Sequence, residues 1–313
     1  MEINDRLDKL IVKIKKSKEA FILAPFFILS ALLLFAVSSF GDQSQHKSFL
    51  WKVQSKTTTV YLLGSIHVLR KDFYPLAARI ENAFDESKTL VVEANINNVD
   101  IGATLSMLQG SLYQGDDTIE NHLSKDTFDL VSSRLKELGM PMELFLKNKP
   151  WFVAVTITAL ELGKLGFDPG YGIDKHFLDE ADGKKKILEL ESAKYQMDLL
   201  NNLSDEDQEL FLVYTMKELD MLRQEMDTMT DAWKSGDAKA MDSIISGQLR
   251  DEPGLSRIYG RLIYERNRNM ASKIEDYLKS GGKYFVVVGA AHLVGERGIL
   301  ERLKARGYSV EQM

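Results

Sequence analysis

Residues 60–69, VYLLGSIHVL, and residues 285–294, FVVVGAAHLV, decide the fold. Each is an apolar run followed by Gly-x-x-His and two aliphatic residues. The apolar runs predict strands covered on both faces, as in the middle of an α/β sheet. Gly64 and Gly289, at the strand ends, are expected to permit a tight or left-handed turn and a close backbone approach. His67 and His292 are then presented just beyond the carboxyl ends of their strands, the edge where open α/β sheets form ligand sites.

A third run, Thr89–Glu93 (TLVVE), ends in a carboxylate at the same kind of position. A charge placed directly after apolar sheet residues is costly unless it is paired or ligating. Two imidazoles and one carboxylate suit a borderline divalent cation. The same set serves acid/base chemistry without a metal. The chain has five histidines, at 46, 67, 122, 176 and 292. His46 falls in a polar linker and His122 in a polar loop. His176, on an expected helix, is at best a supporting group.

Outward from these strands, Phe49–Ser55 and Thr57–Leu63 read as a strand pair. Leu76–Ser87 has helical spacing after Pro75. Between about 100 and 280 the chain reads as a mainly helical insert. Its helices are expected from Ser124 to Leu138, Pro150 to Leu165, Gly170 to Ala181, Ser204 toward Trp233, and Leu255 to Ser280, with a short strand at Lys186–Leu190. A helix over Gly295–Arg306 and a strand over Tyr308–Glu311 complete the chain. Met216, Met221, Met226 and Met229 recur at helical spacing and read as core or groove packing. The expected fold is α/β, a central mixed sheet from two related halves with a helical insert. Neither a G-x-G-x-x-G loop nor a Walker pattern occurs.

Residues 20–40, AFILAPFFILSALLLFAVSSF, carry no charge and are long enough to span a bilayer as a helix. Lys13, Lys15, Lys16 and Lys18 precede them, which assigns residues 1–19 to the cytoplasm and residues 49–313 to the far side. The long, partly acidic leader favours an uncleaved single-span anchor; cleavage near Ala36-Val37-Ser38, giving a secreted protein, is the alternative. Residues 42–48, DQSQHKS, form a linker.

The 313 residues are 44% hydrophobic and 27% charged, which excludes a disordered chain, and the absence of cysteine excludes disulfides, thiolate metal sites and thiol catalysis. A net charge of −6 argues against general nucleic-acid binding.

In its motifs the sequence resembles the TraB/GumN family, whose animal relatives include the Tiki proteins. The residues that carry the resemblance are Gly64-Ser-Ile-His67-Val, Val91-Val-Glu93, Gly172-Ile-Asp174, Leu190-Glu191-Ser192 with Gln196, Arg266-Asn267, and Gly289-Ala-Ala-His292-Leu. They run from about 49 to 312. The resemblance implies an erythromycin-esterase/ChaN-like fold and a metal-dependent hydrolase, with peptidase activity in the Tiki branch. It implies a divalent metal, Mn2+ or Co2+ with Zn2+ compatible, at His67, Glu93 and His292. The expected partner is then a peptide or protein substrate, and an oligomer is compatible with the sequence. Glu93 is ligand or general base. Arg266 is the candidate to stabilise an oxyanion, although exposed helix charge is its ordinary explanation. Asp174, Glu191, Gln196 and Asn267 form a second tier of site candidates. The rival readings are a haem- or metal-carrying module without catalysis, by analogy of fold, and a structural protein of a membrane assembly.

Overall fold

Thr58–Ser65 alternates little: every residue but Thr59 is buried, and Val60–Leu63 is an unbroken apolar run, because this strand lies inside the sheet with neighbours on both sides. The computed structural model describes residues 47–99, 101–251 and 254–313. The anchor expected over 20–40, the leader 1–19 and most of the linker lie outside them. Among the described residues no helix is long and apolar enough to cross a membrane.

Six strands form one mixed sheet: β1 (Leu50–Gln54), β2 (Thr58–Ser65), β3 (Thr89–Val92), β4 (Lys186–Glu189), β5 (Gly282–Gly289) and β6 (Ser309–Gln312), in the order β4-β3-β5-β2-β1-β6. β4, β3, β5 and β2 run parallel; β1 is antiparallel to β2 and to β6. The β1–β2 hairpin is closed by Ser55, whose Oγ accepts from the Thr57 and Thr58 amides at 3.3 and 3.1 Å. Phe285 to Val288, Leu90 and Val91, and Leu62 and Leu63 have no solvent exposure, since helices cover both faces of the parallel strands. β2 and β5 are neighbours, and Ser65 pairs with Gly289. Both Gly-x-x-His segments therefore leave the sheet side by side at one edge.

Several helices differ from the sequence expectation. The helix expected from Ser204 to Trp233 is two helices, Asp205–Glu218 and Leu222–Lys234. The break lets Met216 on the first and Met226, Met229 and Trp233 on the second all reach the core. Leu255–Ser280 contains a π-turn at Gly260–Tyr264, ahead of the helix Glu265–Ser280. Arg266 and Asn267 follow directly on that turn and are buried, so exposed helix charge does not explain them. This helix stops at Gly281 and Gly282, with φ of +86° and +99°. The last helix starts at Ile299 rather than Gly295, because Gly295 takes a φ of +79° and Gly298 packs on the Leu293 and Val294 carbonyls.

Candidate metal centre

Glu93 is the residue after β3, and it is 7% exposed. Its Oε2 accepts from Arg266 Nη2 at 2.5 Å and from Gln196 Nε2 at 3.1 Å. Its Oε1 accepts from the Gly289 amide at 2.6 Å and lies 3.6 Å from His292 Nε2. Burial works against the charged carboxylate, but the His292 ring, the Arg266 guanidinium, His67 and the Gly289 N–H outweigh it and hold the group at about 2. Glu93 is thus an anion throughout the neutral range.

Arg266 is 2% exposed and fully engaged inside the protein. Its Nε donates to both Glu191 oxygens at 3.2 and 2.9 Å, its Nη1 to the Leu262 carbonyl at 3.0 Å, and its Nη2 also faces Glu191 Oε2 at 2.8 Å. Gln196 Nε2 bridges to Glu191 at 3.2 Å as well. An oxyanion role requires an N–H aimed at substrate, whereas this guanidinium is fixed between two carboxylates. Its geometry is that of a clamp which balances and orients Glu93.

Each histidine is held by its Nδ1. His292, on the short helix Ala290–Leu293, has Nδ1 2.6 Å from Asn267 Oδ1, while Asn267 Nδ2 donates to the Arg297 carbonyl at 3.1 Å. The second bond fixes which end of the amide faces the ring, so Nδ1 carries the proton and donates. Nε2 then presents a lone pair toward Glu93. Burial, with Arg266 and His67 adding to it against Glu93, pushes His292 down to about 3 and keeps it neutral. His67 Nδ1 lies 2.5 Å from Asp174 Oδ2, and Ser65 Oγ donates to Asp174 Oδ1 at 3.0 Å. For His67 the burial effect, which lowers the pKa, is overcome by Asp174 and then by Glu93, and the net shift is upward. Gly172 backs the His67 carbonyl so closely that a Cβ there would overlap it.

Of the roles expected for Gly64 and Gly289, the close approach is found and the left-handed turn is not. Neither has a positive φ. A Cβ on Gly64 would overlap the Phe49 ring and stand 3.2 Å from Ala290 Cα, so Gly64 is required by packing. A Cβ on Gly289 would stand 3.4 Å from both Glu93 Oε1 and His67 Nε2 and 3.5 Å from His292 Cδ2. Gly289 thus keeps open the space around which all three candidate ligands gather.

The donor chemistry fits a divalent cation. A neutral imidazole lone pair and a carboxylate face one another in a buried place, with each histidine oriented through its other nitrogen by an oxygen acceptor. The positions do not form a closed ligand shell. Among the described residues no group of three His, Cys, Asp or Glu stands ready to hold a metal ion. His176 lies apart, with Nε2 3.3 Å from Glu81 and its ring on Tyr74. His122 lies between Asp117 and Asp205, at 2.9 Å from each, and His46 is outside the described residues. The contacts of the Ser65 hydroxyl with Asp174 and of the Gly289 amide with Glu93 go beyond the sequence reading, although both residues lie inside the Gly-x-x-His segments.

Residues 49–312, which contain both Gly-x-x-His segments, Glu93 and Arg266-Asn267, match the TraB/PrgY/gumN family. The chain belongs to the TraB/PrgY/gumN family. Among proteins similar to it is the uncharacterized protein YbaP of Escherichia coli K12, 27% identical over 249 residues that cover 78% of this chain and 87% of that one. Metalloprotease TIKI homolog of Amphimedon queenslandica is 24% identical, covering 93% of this chain and 67% of that one. Metalloprotease TIKI2 of Xenopus tropicalis is 24% identical, covering 86% of this chain and 60% of its own length. No solved structure matches. This member of the TraB/PrgY/gumN family thus aligns over most of its length with proteins named metalloproteases.

Proposed function

We propose that this protein is a membrane-tethered, extracytoplasmic metal-dependent hydrolase of peptide or amide bonds. His67, Glu93 and His292 would hold the divalent cation, Mn2+ or Co2+ by family resemblance. Bound there, the cation would supply an activated water and polarise the scissile carbonyl. The observation that carries the reading is the convergence of Glu93 Oε1, His67 Nε2 and His292 around the bare α-carbon of Gly289. Distant relatives named TIKI metalloproteases add support.

The protein's own residues divide the work. Arg266 and Gln196 hold one oxygen of Glu93 and leave the other turned toward the histidines. Glu93 is therefore read as a ligand rather than a general base. Asp174 and Asn267 orient the imidazoles so that the Nε2 atoms point inward. Glu191 balances Arg266, so that the buried charges compensate in a low-dielectric setting. The departure of two Gly-x-x-His segments from neighbouring strands also favours two related halves in the sheet. Residues 20–40 would supply the tether.

The test is turnover of a peptide library by residues 42–313 with and without added Mn2+ or Co2+. Metal-dependent cleavage that His67→Ala and His292→Ala each reduce by about 1,000-fold supports the enzyme. Stoichiometric uptake of metal or haem without turnover overturns it in favour of a carrier.

A further inference from the structure

The place where the chain joins the domain has a bearing on what the site can reach. Leu50 of β1 pairs with Leu63 of β2, and Ser65 of β2 pairs with Gly289 of β5. Residues just before Leu50 therefore run beside the carboxyl ends of the parallel strands. They are two strands from β5, about 10 Å at the usual strand spacing.

That junction is fastened. The Ser48 amide donates to the Met313 carbonyl at 2.6 Å, and Gln312 Nε2 donates to the Ser48 carbonyl at 3.1 Å and the Gly236 carbonyl at 2.6 Å. Phe49 is fully buried, and the Gly64 amide donates to its carbonyl at 3.1 Å. The Lys47 carbonyl packs directly on Gly236, at a φ of +69°. The tether thus begins at Lys47. From Phe40, the end of the apolar run, to Lys47 a fully extended chain spans at most roughly 25 Å.

The same edge carries exposed apolar side chains. Leu105 is 55% exposed on the helix Ile101–Gly110, a segment with no charged residue. This helix packs on Ala193–Asn201, whose Gln196 reaches Glu93. Tyr171, 37% exposed, precedes the Gly172 that backs His67. The opposite edge, at the β1–β2 turn and the start of β3, lies on the order of 25 Å away along an eight-residue strand. It presents Lys56 and Lys88 to solvent.

We propose that in the anchored chain the carboxyl edge of the sheet faces the bilayer, so that the site acts on membrane-proximal stretches of membrane-bound polypeptides. The proposal rests on the tether and hydrolase readings above and adds the substrate class. A short tether fixed on the catalytic edge brings that edge toward the membrane, and Leu105 and Tyr171 meet the interface. A bond far out in solution is then reached less well than one close to the headgroups.

The absence of cysteine makes the test direct, since one introduced cysteine takes one fluorophore. The full chain is reconstituted in phosphatidylcholine vesicles that carry a nitroxide on a fraction of headgroups. Labels at Leu105→Cys and Tyr171→Cys are expected to be quenched at least threefold more than labels at Lys56→Cys and Lys88→Cys. Inserting twenty Gly-Ser residues between Gln43 and Ser44 is expected to erase the difference. Equal quenching, or stronger quenching at 56 and 88, in protein that floats with the vesicles overturns the orientation while leaving the tether intact. Protein that does not float overturns tether and orientation together and leaves the metal chemistry untouched. For the substrate class, a peptide library is carried on lipid either directly or on a spacer of about 60 Å. Cleavage at least tenfold faster for the direct set supports it; equal rates or none overturn it.

Discussion

Two glutamates are buried almost equally in this protein, Glu93 at the sheet edge and Glu225 in the helical insert, at 7% and 5% exposure. Their acidities move in opposite directions. Glu93 faces Arg266, two imidazoles and a backbone N–H, and is held at about 2. Glu225 is pushed up to about 9, first by burial and then by a hydrogen bond and charge from Glu218. Burial beside a second carboxyl keeps Glu225 neutral; a buried carboxylate exists where a cation and N–H donors have been assembled for it. The sheet edge has assembled them, whereas among the described residues the neighbour that shifts Glu225 is another carboxyl, Glu218.

The largest expected effect is that of Glu93→Gln. It leaves Arg266 with only Glu191 as counter-charge, and we expect a loss of about 3 kcal/mol in urea unfolding together with loss of metal binding. Because Glu93 titrates lower in the folded chain than in the unfolded one, its contribution is complete above the ordinary carboxylate range and disappears as pH falls toward 2. The gap between wild type and variant should close over that window. A gap that widens on acidification would break the contrast with Glu225.

Gly289→Ala and Gly64→Ala separate site from scaffold on the two strand ends. Gly289→Ala fits its φ of −51° and should melt within about 2 °C of wild type while losing metal affinity by about 100-fold. Gly64→Ala must displace the Phe49 ring and should cost roughly 1–3 kcal/mol. The reverse pattern would remove Gly289 from the site. Smaller still are the orienting groups. Asp174→Asn is expected to weaken metal affinity by about 10- to 100-fold and Asn267→Ala by about 10-fold, measured by chelator competition at constant melting temperature.

Glu225→Gln has the smallest effect on metal binding and the opposite sign on stability. Between the unfolded value near 4.5 and the folded value of about 9, the unfolded chain releases a proton that the folded chain retains, which penalises folding as pH rises. The variant should melt a few degrees higher than wild type at pH 8, match it at pH 4.5, and bind metal as wild type does. A loss of metal binding would tie the insert to the site in a way its contacts do not.

Much of the edge was legible because strand periodicity and Gly-x-x-His are local patterns. β2, β3 and β5 fall where Thr57–Leu63, Thr89–Glu93 and the apolar run Phe285–Val288 were expected, within three residues. What stayed hidden depends on contacts between distant residues. Nothing local in YERNRNM says that a π-turn turns Arg266 inward, and the break at Leu219–Met221 follows from helix packing rather than from any Gly or Pro. The two glycines illustrate the same limit. The motif marks both, but only the neighbours, Phe49 for one and the ligand set for the other, reveal that neither serves a left-handed turn.

We propose that His67, Glu93 and His292 share one divalent cation, and metal analysis of residues 42–313, purified without a histidine tag, equilibrated with a slight excess of Mn2+ or Co2+ and freed of unbound ion, decides the matter. About one bound ion per chain is expected for wild type and Glu225→Gln, and less than a tenth of that for His67→Ala, Glu93→Gln and His292→Ala. Undiminished metal in any one of those three variants, or none in the wild type, would overturn the assignment.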